Sequence, residues 1–328
     1  MPEVELEALL SPLAGDAPCG ADLEYDPAFL GLQEAGAGKP EQQYGDTVIP
    51  PQEPDWPLVH EKALQLAQRT RDLRVAVWLA RSGARLSGLA GAVQGLQLAR
   101  GLIERHWDHV HPQLDAADHN DPTARVSALT PLVHVGAGLA DLRAASLNGK
   151  RGGLTVRDIE LALGHVDPVA GESVPSEDGV VQGVSAAIAE SPQLAAHMSA
   201  GLDAVQGLSK VLEQKLEASQ TPDFTPLKKV LQRVAEAAAR ATGKPVESNG
   251  AVADVPKAAA LGAISSREDV IRTLDRVCEW IERNEPTNPA PLLIRRSQRL
   301  MTKNFIDIIR DLVPDGISQI EKLAGPKN

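Results

Sequence analysis

Aromatic side chains are scarce: Phe, Tyr and Trp together make up 3% of the 328 residues. A core must then be built from Leu, Val, Ile and many Ala. Ala and Leu are the apolar residues that helices accept best, whereas strands favour β-branched and aromatic ones, so the composition predicts an all-α protein. Cysteine is limited to Cys19 and Cys278. Two single, distant thiols give neither a disulfide frame nor a metal cage and read as reduced cysteines of a cytoplasmic protein. No apolar run exceeds Val75–Ala80, far short of the roughly 20 residues that span a bilayer, so no membrane insertion is expected. Met1–Leu10 carries Glu3, Glu5 and Glu7 without a basic residue, which is not the pattern of a secretory signal. Long basic runs are missing too. The net charge is −11, and residues 1–59 hold twelve Asp and Glu against Lys39 alone. Such a surface repels phosphate backbones, so nucleic acid is not an expected partner.

What is present is helical text, in a chain long enough for two or three units. Residues 1–55 are rich in Pro, Gly and acids and read as an irregular, partly ordered arm with one short helix near Asp26–Ala35, its acids (Asp22, Glu24, Asp26) solvated. Asp55 is a suitable N-cap, with Pro57 in the first turn, for a helix from Leu58 to about Thr70. Asp72–Leu86, Ser87–Val110, Asp121–Ser146 and Thr155–Gly164 continue the pattern, the last capped by Thr155. Residues 56–164 are thus expected to form an N-terminal helical domain of about five helices joined by short loops. Residues 165–242 form a middle region that opens with a loop and a weak helix. Leu194, Met198, Leu202, Val205, Leu208, Leu212 and Leu216 then recur every three or four residues, and Leu227, Leu231, Val234 and Ala238 make a return stripe beyond a turn at Gln220–Asp223. That spacing predicts a helical hairpin. Residues 243–264, rich in Gly, Pro, Ala and small polar residues and without a core pattern, read as a flexible linker spanning roughly 25 Å. No internal repeat of fixed period is found.

Residues 265–328 read as a small C-terminal helical domain. Ser266 and Asp269 resemble a capping box, and Val270, Leu274, Val277 and Ile281 form a narrow stripe widened by Ile271 and Cys278. Glu268, Asp269, Arg272, Asp275, Arg276, Glu279, Glu282 and Arg283 sit on the opposite face. Pro286, Pro289 and Pro291 break the chain before a second helix at Leu292–Leu312, and a short one follows from Asp315. So short a segment buries little surface by itself, yet it is strongly apolar. Val270, Leu274, Val277, Trp280, Ile281, Leu292, Leu293, Phe305 and Ile309 are therefore the expected oligomer interface. Trp280 lies outside the main stripe, either as an interface anchor or as a lid on the domain's own core. Arg295, Arg296, Arg299, Lys303 and Arg310 fall within an arc of about 100° on the second helix. They read either as a solvated face or as a docking surface for an acidic partner, including the acidic arm of a neighbouring subunit.

Chemistry is harder to find. His106, His109 and His111, with Asp115, Asp118 and His119 downstream, are residue types that bind transition metals, which opens the reading of a metal-dependent hydrolase. Against it, Pro112 ends the helix, no H-E-x-x-H is present, and histidines at a helix C-terminus suit the dipole there. Gly149–Gly153 (GKRGG) lacks the phosphate-loop spacing and a preceding strand, and Gly36–Lys39 is a two-glycine fragment. There is no G-x-S-x-G elbow, and neither cysteine has a nearby histidine to activate it. No catalytic centre, cofactor site or metal site is expected, and the chain reads as an assembly protein rather than an enzyme.

Several unusual segments occur in a fixed order: Pro18–Pro27 (PCGADLEYDP), Gly38–Asp46 (GKPEQQYGD), Pro54–Trp56, Asp72–Ala76 (DLRVA), His106–Asp115 (HWDHVHPQLD), Asn120–Pro122 and Arg157–Glu160 (RDIE). Through about residues 5–165 the chain resembles the ImpA-type N-terminal domain of TssA proteins, components of the bacterial type VI secretion system. Arg267–Ile320, with Trp280, Asn284–Pro286, Pro289–Arg296 and Asp307–Leu312, is similar to the tail of short TssA proteins. The resemblance implies a C-terminal region that assembles rings, with N-terminal domains hanging outward on tethers. It implies a cytoplasmic subunit helping baseplate assembly and tube and sheath polymerisation, with baseplate, tube and sheath components as partners. Longer members act instead as a cap on the growing sheath end. The resemblance gives the histidine cluster no metal or catalytic role.

Overall fold

The computed structural model describes residues 3–39, 42–44, 47–50, 52–169, 171–217, 220–243, 274, 275, 278, 281–283 and 289–301. The chain divides into two compact units, Met1–Asn249 and Gly250–Asn328. The described residues are mostly helical, as the composition predicts.

The first unit opens with α1 (Glu3–Leu10) and α2 (Pro27–Ala37), followed by a short antiparallel pair, β1 (Gln42–Tyr44) and β2 (Thr47–Ile49). The segment expected to be an irregular acidic arm is therefore more ordered than its composition suggests. Asp26 caps α2 by accepting from Ala28 N at 2.8 Å. Leu9, Leu10, Cys19, Phe29 and Leu32 are buried in the same core as the later helices. The acids of this segment are not simply solvated, because arginines from farther along the chain meet them. Arg69 lies 2.6 Å from Asp26, and Arg74 lies 3.0 Å from both Asp22 and Glu24. Charge pairing, which composition alone does not reveal, holds the segment down.

Next come α3 (Trp56–Ala67) and α4 (Leu73–His106). Asp55 caps α3 through Leu58 N, and Asp72 caps α4 through Arg74 N. Within α4 the backbone reverses at Gly88, whose φ of 67° and ψ of −148° lie in a region open only to glycine. The arms 73–87 and 89–106 fold back on each other, matching the two helices that the sequence separates. Small residues let the arms touch backbone to backbone: an added Cβ on Gly91 would sit 2.4 Å from Gly83 O, and one on Gly95 would sit 2.2 Å from Ala80 Cα. The arms end side by side, with Leu73 N donating to His111 O at 2.8 Å.

The single helix expected at Asp121–Ser146 is broken. It becomes α5 (Thr123–Leu129), a 3₁₀ turn (Thr130–Leu132) and α6 (Gly138–Ala144). Pro131 begins the turn, and Gly138 packs so closely on Leu132 that a side chain there would clash. After these comes α7 (Val156–Ala162), opened by a capping box between Thr155 and Asp158.

Ser176 caps α8 (Glu177–Glu190). The predicted hairpin follows as α9 (Gln193–Lys215) and α10 (Thr225–Thr242). Leu194, Met198, Leu202, Val205, Leu208 and Leu212 are buried, as are Leu227, Leu231, Val234 and Ala238. This hairpin packs on α4, and one contiguous core runs from Leu9 to Ala238. Thus the regions 56–164 and 165–242, distinct in sequence, share a single interior.

In the second unit, residues 274, 275, 278 and 281–283 have helical backbone and α11 spans Ala290–Met301.

Candidate assembly surface

The histidine cluster is dispersed by its own hydrogen bonds. His106, at the end of α4, is buried and its Nε2 lies 2.7 Å from Leu10 O, tying α1 down. His111 Nε2 lies 3.0 Å from Gly20 O, while His109 and His119 are exposed. Among the described residues no group of three His, Cys, Asp or Glu side chains is placed to hold a metal ion. The contact of His60 Nδ1 with Ser82 Oγ, at 2.8 Å, is also structural. Ser82 is buried, and its hydroxyl donates to Trp78 O at 2.7 Å.

The glycine-rich segment Gly149–Gly153 closes a turn against the α4 reversal. Leu89 N donates to Ser146 O at 2.9 Å, and Lys150 pairs with Glu190 at 2.6 Å. Its lysine is already matched to a carboxylate. Cys19 is a buried thiol whose desolvation pushes its pKa up to about 11, against the pull of Arg71 and Arg125. A thiol held protonated in this way is inert as a nucleophile.

Two buried arginines escaped the sequence reading. Arg125, fully buried in α5, donates to Trp107 O, Val110 O and Pro112 O at 2.6, 2.8 and 2.9 Å and stacks 4.7 Å from the Trp107 ring. Arg71 donates to Ser11 O at 2.9 Å and Ala8 O at 3.2 Å and also reaches Ala67 O. Burial lowers the pKa of both, that of Arg125 to about 10. Arg71 caps carbonyls at the ends of α1 and α3, and Arg125 caps those of the loop that follows α4. Nothing in the sequence pattern marks them, since their acceptors are backbone atoms.

The expected interface residues lie in the second unit. Leu292 and Leu293 on α11 are exposed, at 73% and 66%. Leu274 and Ile281 are partly buried. Val270, Val277, Trp280, Phe305 and Ile309 lie outside the residues whose side chains are described. The opposite face of α11 is anchored within the unit. Pro291 is buried with its carbonyl 3.9 Å from Cys278 Sγ, and Gln298 donates to Asp275 Oδ1 at 2.9 Å.

Of the arginine stripe, Arg295 and Arg296 have described side chains. Arg295 pairs with Glu282 at 3.1 Å and lies 3.7 Å from Asp275. Hydrogen bonding to Glu282 raises its pKa further. Arg296 is exposed, whereas the side chains of Arg299, Lys303 and Arg310 fall outside the described residues.

Comparison with known proteins places the chain beside type VI secretion system components. Residues 10–134 match the family described as ImpA, N-terminal, type VI secretion system. The chain is 37% identical over 351 residues to the type VI secretion system component TssA1 of Pseudomonas aeruginosa, covering 99% of each protein. It is also similar to a solved N-terminal domain that includes the conserved ImpA_N region of the TssA component from Burkholderia cenocepacia. That match has a TM-score of 0.52 and 27% identity over 74% of this chain and 95% of the other.

Proposed function

The chain belongs to the TssA family of type VI secretion system components, and from that premise we propose that it is a non-enzymatic structural subunit that self-associates through residues 265–328. The observation that carries this reading is the pair Leu292–Leu293, turned to solvent on a helix whose other face is anchored. Adjacent exposed leucines on so small a unit gain stability when a partner covers them. Charge supports the same choice. Met1–Asn249 carries 33 acidic and 21 basic residues, whereas Gly250–Asn328 carries 11 and 12. Copies meet through the near-neutral unit without the repulsion that the acidic one brings.

Closure into a ring would present each first unit to baseplate, tube and sheath components in the cytoplasm. Weak single contacts then become strong through multivalency. Light scattering on the full chain tests the premise of self-association: a multimer is expected at micromolar concentration, and a sole species of 34.8 kDa would end the proposal.

A further inference from the structure

We infer that Arg295 is a positioning residue: it fixes the rotation of α11 so that Leu292 and Leu293 form a face for a second copy of this chain. The inference rests on the self-association reading above and adds what sets the geometry of the contact. Arg295 Nε and Nη2 donate to Glu282 Oε1 at 3.2 and 3.1 Å, and Nη2 also reaches Oε2 at 3.1 Å. Its Nη1 lies 3.7 Å from Asp275 Oδ1, the atom that also accepts from Gln298. With the contact between Pro291 and Cys278, this gives attachments at positions 291, 295 and 298.

Those positions are four and three residues apart, so they share one face of the helix. Leu293 lies about 200° around the axis from Pro291, so these three attachments turn Leu293 away from the unit. An apolar helix left to itself would roll its leucines inward. The forked guanidinium–carboxylate contact has a defined geometry that a roll would break. Arg295 is thus occupied within its own chain, and what it offers a second copy is the orientation of its leucine neighbours. Arg296 lies between the two leucines around the axis, but the unit as a whole is near neutral, which suits pairing of like with like.

The test uses the full-length chain, with association followed by light scattering and sedimentation over a concentration series, and helicity checked by circular dichroism. Leu292→Ser with Leu293→Ser is expected to weaken association at least tenfold. Arg295→Met, which leaves both leucines in place, is expected to do the same. Reversing the pair with Arg295→Glu and Glu282→Arg, together with Asp275→Asn so that the new carboxylate meets no like charge, should restore association. If the leucine variant keeps its mass, the self-association reading of this face fails. If the leucine variant dissociates while Arg295→Met does not, the reading stands and the positioning role is overturned. Loss in Arg295→Met without recovery in the reversed pair also overturns it, because Arg295 would then touch the second copy directly.

Discussion

The carboxylate of Glu160, fully buried at α7, accepts from Arg143 Nε at 2.7 Å, and its other oxygen holds Arg233 of α10. One residue thereby clasps both its own neighbour and the later hairpin. Removing one partner of a buried charge cluster typically costs about 3–5 kcal/mol, because it strands the remaining charges. Glu160→Gln should therefore lower the melting temperature of the first unit by several degrees. Since α7 and α10 share a core, residues 1–164 and the hairpin should unfold in one transition by calorimetry. Two separated transitions would show that the clasp joins two independent domains.

Gly88→Ala should be more damaging than its size suggests. The residue's φ of 67° already disfavours an L side chain, and a Cβ would lie 2.0 Å from Ser146 O. Strain of this kind costs on the order of 1–3 kcal/mol before the clash is counted. Urea titration should show the midpoint falling by at least that equivalent. The same substitution at Gly164, also at positive φ but with open space around it, should cost less.

The α4 reversal was partly legible in the sequence, since the helical pattern divides near Leu86 and Ser87, and the hairpin of α9 and α10 was legible in its apolar spacing. Both rest on local periodicity. The burial of Leu9, Leu10 and Phe29 was not legible, because Pro, Gly and acids around them dominate the composition and the compensating arginines lie some distance along the chain. Arg69 and Arg74 answer Asp26, Asp22 and Glu24 only once the fold brings them together. The outward turn of Leu292 and Leu293 was half legible. Their apolar character predicted an interface, but the sequence offered Arg295 as a docking cation and gave no sign of its intrachain contact with Glu282.

Cys19 gives the first unit a specific alkaline weakness. Burial raises its folded pKa from an ordinary value near 9 to about 11, so the folded state keeps a proton that the unfolded chain loses. The stabilisation is present below pH 9 and is lost as pH rises through 11. Two pKa units correspond to about 3 kcal/mol. Melting temperature measured from pH 8 to 11 should fall more steeply in the native chain than in Cys19→Ala. Parallel slopes would mean that the thiol is not the group responsible.

The histidines give the last prediction, because structural and metal-binding roles demand opposite patterns. A metal site would make His106, His109 and His111 equivalent: each Ala variant would lose the same ion and the same stability. The structure makes them unequal. His106→Ala deletes a buried bond to Leu10 O, and His111→Ala deletes one to Gly20 O. Each also leaves a gap in packed surroundings, so a loss of about 1–3 kcal/mol is expected. His109→Ala removes an exposed ring and should stay within about 0.5 kcal/mol of the native chain. Added zinc or manganese should shift none of these melting temperatures. An equal loss across all three variants, reversed in the native chain by metal and abolished by chelator, would restore the hydrolase reading that the geometry opposes.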